Sequence, residues 1–130
     1  MCYNITKGWY VIMETKDTIK RARHSTRWYS GRQERAVAKA IGGKQTSNSG
    51  ATAFHKGDVT SALFLIECKT VTHEQKSVTV KREWLQKNKE EAFMMGKRYG
   101  AVVVNFGDGE NYYIVDEKTF LDMLEGLNEV

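Results

Sequence analysis

The chain has 130 residues, of which 41% are hydrophobic and 28% charged, and it carries a formal net charge of +4 at pH 7. These values are typical of a single globular domain and exclude a fibrous or low-complexity chain. The longest apolar run, Ala62 to Ile66, is too short for a membrane span, which needs ~20 apolar residues. The first residues also lack the pattern of a signal peptide, so we expect a cytoplasmic protein with reduced thiols.

The N-terminal stretch, residues 1–29, is aromatic and basic without a clear period, and we treat it as an arm of uncertain structure. The next segment predicts a helix from about Arg32 to Ile41, capped by Ser30 or Gly31. By its spacing from Val37 and Ile41, Glu34 can share the inward face of this helix, which is unusual for a carboxylate.

A polar loop from Lys44 to Ala51 separates this helix from a predicted hairpin. Its strands contain Val59-Thr60 and Leu63 to Lys69, and the chain turns near Ser61 and Ala62. The second strand is apolar on both faces until Glu67, which predicts a central strand covered on both sides.

The C-terminal half predicts two further helices and two or three strands. In chain order these are a possible strand Ser77–Val80, a helix Lys81–Arg98, a strand Ala101–Phe106, a turn at Gly107–Gly109, a strand Tyr112–Val115 and a helix Glu117–Leu127. We expect Phe120, Leu121 and Leu124 of the last helix to face the core.

Two carboxylates and one lysine are expected to meet at the end of the central strand. Glu67 and Lys69 share a face because side chains alternate along a strand, and Cys68 points to the other face. The hairpin places Asp58 across from Glu67, and Glu34 can join from the first helix. The alternative is a structural salt bridge in which Lys69 only neutralises Glu67.

Such a cluster is suited to phosphodiester hydrolysis. Two close carboxylates do not both stay ionised without a cation, and oxygen ligands suit Mg²⁺ or Mn²⁺. A metal-bound water is a nucleophile at neutral pH, and a lysine can orient it or stabilise the transition state. His24, His55 and His73 lack the spacing of a rival metal motif.

At these positions the sequence resembles the PD-(D/E)xK nucleases. The matching residues are Gly57-Asp58 followed by Glu67-Cys68-Lys69, with glycine where the signature has proline. The Ser30–Arg35 segment, the Ser49-Gly50 loop and the Lys81–Met95 helix are similar to the archaeal and phage Holliday junction resolvases. The likeness covers roughly Ser30 to Leu124, and we assign residues 30–130 to a nuclease domain.

The resemblance implies an α/β fold with a restriction-endonuclease-like core, a central mixed β-sheet flanked by helices. It implies Asp58, Glu67, Glu34 and the main-chain carbonyl of Cys68 as ligands of Mg²⁺, for which Mn²⁺ can substitute, and Lys69 as the catalytic lysine. Ser49 would approach the scissile strand in a two-fold homodimer that cuts four-way DNA junctions in recombination and repair. No organic cofactor and no membrane are implied, and the setting would be a bacterial or archaeal cell, or a phage gene.

The partner expected from the charge pattern is DNA. Basic residues are concentrated between Lys16 and Lys39 and between Lys76 and Arg98, while acidic residues collect after Asp108. The residues expected to contact phosphates are Arg32, Arg35, Lys56, Lys81 and Lys87, and Gln75 is a candidate support for the site. Three alternatives stay open: lysine-rich helices that are only solvated faces, another DNA nuclease of this type acting in repair, flap processing or restriction, and a non-catalytic DNA-binding module.

Overall fold

The computed structural model describes residues 25–46 and 57–129, which contain three helices and five strands. In chain order they are α1 (Thr26–Ile41), β1 (Lys44–Gln45), β2 (Val59–Thr60), β3 (Phe64–Lys69), α2 (Arg82–Met94), β4 (Tyr99–Asn105), β5 (Asn111–Ile114) and α3 (Glu117–Asn128). The strands form one sheet in the order β1-β2-β3-β4-β5, in which β3 and β4 run parallel and the other neighbours antiparallel. This is the predicted α/β class with a mixed sheet and flanking helices.

The first helix begins six residues earlier than the sequence predicts. Ser25 is the cap, and its side chain accepts a hydrogen bond of 3.2 Å from the Trp28 N–H. The Ser30 hydroxyl instead donates to the Arg27 carbonyl at 3.0 Å, as a serine inside a helix does. Helix α1 therefore crosses the expected boundary between arm and domain at residue 29, and most of the arm, residues 1–24, lies outside the described residues.

The predicted hairpin is confirmed. Strand β2 pairs antiparallel with β3, with Val59 opposite Ile66, and the Ser61 N–H closes the turn on the Phe64 carbonyl. Strand β3 is the middle strand of the sheet, as its apolar sequence predicts.

Helices α1 and α2 pack on opposite faces of the sheet. Val37 and Ala38 of α1 join a buried cluster whose strand residues are Val59, Ile66, Cys68, Ala101 and Val103. On the other face, Asn88 of α2 donates a hydrogen bond of 3.1 Å to the Leu65 carbonyl. A Cβ at Gly100 would lie 2.2 Å from the Asn88 Oδ1, so only glycine allows this close approach. Helix α2 makes the crossover that a parallel β3–β4 pair requires.

The boundaries of the C-terminal elements differ from those predicted. No strand forms at Ser77–Val80, so that prediction is wrong. Helix α2 stops at Met94 because Gly96 takes a φ of 69°, which leaves Tyr99 free to begin β4. The glycine turn between β4 and β5 is confirmed.

Helix α3 has its predicted position but not its predicted orientation. Phe120 and Leu121 are each 52% exposed and Leu124 is 39% exposed, so the expectation that they face the core is wrong. The inward side carries the buried Thr119 and also Asp122, which accepts a hydrogen bond of 3.2 Å from the Tyr99 hydroxyl. Among the described helices, none combines the length and apolar character needed to cross a membrane.

Candidate active site

Asp58 is fixed at the open end of the β2–β3 hairpin. Its N–H donates to the Ile66 carbonyl at 2.9 Å, which continues the strand pairing by one residue. Its Oδ2 accepts a hydrogen bond of 2.7 Å from the Cys68 N–H. The carboxylate therefore lies against the segment that carries Glu67 and Lys69, as the hairpin predicts.

The backbone at Gly57 explains why glycine stands where the PD-(D/E)xK signature, which the sequence resembles, has proline. Gly57 has a φ of 83°, whereas the proline ring fixes φ near −65°. A Cβ at this position would also lie 2.5 Å from the Leu65 Cδ1. Glycine is thus required by the backbone that delivers Asp58, and proline is excluded.

Glu67 and Lys69 share a face, as strand alternation predicts. The Lys69 Nζ lies 3.1 Å from the Glu67 Oε1, and the two side chains are 30% and 25% exposed respectively. The amine also lies 4.8 Å from the centre of the Trp84 ring. Trp84 reaches it from α2, so the lysine is held between a carboxylate and an aromatic face.

Burial raises the pKa of the Asp58 carboxyl from its ordinary 3.8 to about 6. Burial is the largest cause of this increase; the negative charges of Glu67 and Glu34 contribute to it, and the Cys68 N–H and the Lys69 amine oppose it. Burial, followed by the charges of Asp58 and the two glutamates, also raises the pKa of the Cys68 thiol. Three carboxylates thus act on one small region that a proton or a cation would neutralise.

Glu34 contributes from the neighbouring helix. It is half-buried on α1, and the Gln45 side chain in β1 donates a hydrogen bond of 3.1 Å to its Oε2. Its charge acts on both Asp58 and Cys68. The buried Gln33 beside it donates a hydrogen bond of 3.3 Å to the Lys69 carbonyl, which ties α1 to the end of β3.

The carboxylates of this site suit a metal ion that keeps several of its waters better than an ion that is coordinated by side chains alone. In residues 25–46 and 57–129, no three His, Cys, Asp or Glu side chains converge as a metal-binding group. Mg²⁺ commonly keeps several waters and takes one or two carboxylates from the protein. Asp58 and Glu67 can serve in this way, whereas direct ligation by Glu34 and by the Cys68 carbonyl stays a prediction.

The other predicted site residues that the structure describes make no hydrogen bond or ion pair with Asp58, Glu67 or Lys69. Arg32 and Arg35 are exposed on α1, Lys81 lies 4.0 Å from Glu83, and Lys87 lies 3.8 Å from the buried Glu91. Gln75 binds the Phe106 carbonyl through its N–H, and in the described part of the chain its side chain has no hydrogen bond to the cluster. Ser49, Lys56, His24 and His55 lie outside the described residues.

The sequence did not single out Trp84, Gln33 or Gln45 as site residues. Trp84 matched a core position of a helix, and the two glutamines belong to no motif. Comparisons with models of known protein families, with curated proteins and with solved structures found no match. The function must therefore be inferred from the site itself.

Proposed function

We propose that the protein is a metal-dependent endonuclease that hydrolyses phosphodiester bonds in branched DNA, with the four-way junction as its preferred substrate. The observation that carries this proposal is the Asp58 carboxyl, whose pKa is raised to about 6 by burial and by Glu67 and Glu34. A lysine amine lies 3.1 Å from that same Glu67. A carboxylate cluster with one lysine suits metal-assisted phosphodiester hydrolysis, because it can hold a cation and stabilise negative charge on the phosphate.

Asp58 and Glu67 would hold Mg²⁺ or Mn²⁺, with the Cys68 carbonyl and Glu34 as further ligands. The ion supplies Lewis acidity and a more acidic bound water. The Glu67 and Trp84 side chains hold the Lys69 amine in position, from where it can donate to a phosphate oxygen or orient the attacking water. Water adds to phosphorus and a phosphorus–oxygen bond breaks, leaving one phosphate end and one hydroxyl end.

The choice of DNA rests on charge and on the family resemblance. The net charge of +4 and the basic residues of α1 and α2 favour a polyanion. Arg32 and Arg35 on α1 and Lys81 and Lys87 around α2 are exposed, as phosphate contacts require. The four-way junction itself comes from the resemblance at Asp58, Glu67 and Lys69.

A homodimer would supply the second catalytic site. A four-way junction has two-fold symmetry and needs two cuts, whereas one chain carries one cluster. The outward face of α3 supports this because it presents a row of exposed apolar side chains. They are Phe120, Leu121, Met123, Leu124 and Leu127, which we call the α3 apolar face.

Cleavage of a four-way junction by Asp58→Asn and Glu67→Gln variants tests the proposal. We expect each variant to lose about 100-fold or more in cleavage rate with Mg²⁺, because charge-stabilising groups are worth that much. Binding to the same junction in Ca²⁺ should change little. Glu83→Gln is the matched control, since Glu83 is an exposed carboxylate paired with Lys81 away from the cluster. Full cleavage by Asp58→Asn would contradict the assignment.

Substrate choice needs a separate comparison. The wild type should cut a four-way junction faster than a flap or a linear duplex of equal length. Faster cutting of the flap or duplex would indicate a repair or restriction-type nuclease with the same site. Binding without cleavage in both Mg²⁺ and Mn²⁺ would indicate a non-catalytic DNA-binding module.

A further inference from the structure

A cleft of about 580 Å³ adjoins the end of β3 at Thr70, and Asp58, Glu67 and Lys69 are not among the residues that line it. It opens between the first half of α1, the loop after β3 and the β4–β5 turn. This volume lies within the range of sites that hold small organic groups. The residues that give the cleft its character are Trp28, Arg32, Gln33, Thr70, Asn105 and Asn111.

Side-chain amides form the floor of the cleft. The Gln33 Nε2 donates to the Lys69 carbonyl at 3.3 Å, which identifies that atom as nitrogen and leaves its Oε1 to accept from the Thr70 hydroxyl. The Asn105 Oδ1 accepts a hydrogen bond of 3.0 Å from the Gly107 N–H, so its other terminal atom is also a nitrogen. Two main-chain groups therefore fix the orientation of both amides.

The side-chain oxygen of Asn111 accepts hydrogen bonds from both of these amide nitrogens. The Gln33 Nε2 lies 3.4 Å and the Asn105 Nδ2 lies 3.3 Å from the Asn111 Oδ1. The Asn111 Nδ2 makes no hydrogen bond within the described residues, and no buried side-chain polar atom there lacks a partner. That nitrogen consequently reaches solvent, and it is a donor whose direction the amide network determines.

The wall of the cleft is aromatic and its charge is balanced. The Trp28 and Tyr29 rings meet edge to face with centres 4.8 Å apart, and the Arg32 guanidinium lies 5.5 Å from the centre of the Trp28 ring. Asp108 also lines the cleft, so its negative charge balances the positive charge of Arg32. A free phosphate would find one cation and one anion, whereas a neutral planar group with a hydrogen-bond acceptor suits the aromatic wall and the amide donor.

We propose that this cleft takes an unstacked nucleobase of the DNA strand that is cut. This inference rests on the proposed nuclease function and specifies its substrate: DNA with an unpaired or extruded base near the scissile phosphate. The connection is short, because Gln33 at the floor of the cleft binds the main chain of Lys69, whose amine belongs to the cluster. Branch points supply such bases at little cost, while a stacked duplex must first unstack one.

The test compares two duplexes that differ in one group, an unpaired 2-aminopurine or an abasic site at the same position. Binding is measured in Ca²⁺, so that no cleavage occurs. We expect the wild type to bind the base-containing duplex about 10-fold more tightly, since stacking a base on aromatic residues contributes this order of affinity. The 2-aminopurine fluorescence should fall on binding.

Asn111→Asp is the informative variant because it keeps the oxygen that accepts from Gln33 and Asn105 and replaces only the free donor. It should lose most of the preference for the base. Asn128→Asp makes the same change of charge at the end of α3, outside the cleft lining, and should keep the preference. Trp28→Leu removes the larger ring of the aromatic wall and leaves the amides in place, and it should reduce the preference for the base, so it tests the cleft even if Asn111→Asp fails to fold.

Equal affinity of the wild type for the two duplexes would overturn the proposal, as would equal effects of Asn111→Asp and Asn128→Asp. Free deoxyadenosine monophosphate should compete only weakly, and competition as strong as that of the duplex would overturn it by indicating a free-nucleotide site. Junction cleavage without a preference for the base would contradict the proposed nucleobase site and leave the proposed nuclease function unaffected. Base preference without cleavage in Mg²⁺ or Mn²⁺ would support the cleft and refute the nuclease.

Discussion

Asp58 is the residue at which the proposed function has a cost in stability. Its carboxyl is partly buried, and burial together with the negative charges of Glu67 and Glu34 raises its pKa to about 6. Such a group binds its proton more tightly in the folded chain than in the unfolded chain. The folded state is therefore favoured at low pH, and this contribution is lost as the pH rises from 3.8 through 6.

Replacing Asp58 with asparagine should stabilise the metal-free protein at neutral pH. Asparagine keeps an oxygen for the Cys68 N–H and carries no charge to desolvate. We expect a gain of about 1 kcal/mol at pH 7 to 8, allowing for solvent screening, which is several degrees in the midpoint of thermal unfolding. The gain should shrink as the pH falls through 6 and vanish below 4. Thermal unfolding across this range measures it.

Asp116 is the matched control because its pH dependence has the opposite sign. Hydrogen bonds from the Lys89 amine and from Thr119 hold the pKa of this carboxyl below its ordinary 3.8. It stabilises the fold above that pH and ceases to do so in acid. Asp116→Asn should therefore lower the unfolding midpoint at pH 7. A gain for Asp58→Asn that is independent of pH would contradict the electrostatic account.

The relative placement of two side chains could be predicted where the residues are close in sequence. Glu67 and Lys69 are two positions apart on one strand, so alternation alone places them together. Trp84 and Gln45 reach the cluster from elements distant in sequence, with contacts to Lys69 and Glu34. No spacing rule records such contacts, because they depend on how helices and strands pack.

At the level of elements, the β2–β3 hairpin depends on the backbone of Gly57. Gly57→Ala should destabilise the protein by about 2 kcal/mol, since alanine tolerates a positive φ poorly and its Cβ would meet Leu65. Because Asp58 follows directly, cleavage should fall as well. Denaturant unfolding and the junction assay measure the two effects.

Gly96→Ala separates the cost of a positive φ from the cost of a Cβ that meets a neighbouring side chain. Gly96 has a similar φ of 69°, but no atom lies within 4 Å of a Cβ built there. Its substitution should cost only the backbone strain, about 1 kcal/mol, and leave cleavage unchanged. Equal losses for the two alanine variants would show that the contact with Leu65 has no effect.

Element types followed from the sequence more reliably than their ends. The start of α1 depends on which of two serines accepts from the helix N–H groups, and both are compatible with the residues that follow. At Ser77–Val80 the element type itself was predicted wrongly. This short run has residues that favour a strand, but it pairs with no strand of the described sheet.

For the whole molecule, the α3 apolar face predicts self-association. If two copies pack through it, Leu121→Glu should convert a dimer into a monomer, because burying that charge at an apolar interface is unfavourable. Sedimentation at several protein concentrations measures the change. Junction binding by the monomer should weaken, since each copy supplies half of the contacts.

Val80→Glu is the control for introducing a charge at an exposed apolar residue outside α3. It should leave the mass in solution unchanged. A wild type that remains monomeric at high concentration would contradict the dimer. It would not bear on the chemistry proposed for Asp58 and Glu67, which one chain supplies.

The overall topology could be anticipated because β3 is apolar on both faces and a long helix separates it from the next apolar strand. The orientation of α3 could not. Periodicity shows that a helix has an apolar side, but it does not show whether that side meets the core or a partner. In α3 the polar Thr119 and Asp122 face inward, and the leucines face out.

The hydrogen bond from the Cys68 N–H to the Asp58 Oδ2 provides a reporter inside the site. An amide proton that points at a carboxylate changes its chemical shift when that oxygen is protonated or bound by a cation. The Cys68 resonance in a nitrogen-15 spectrum would thus follow the charge state of the cluster directly. The occupancy of the site can be read from this one signal without a substrate and without cleavage.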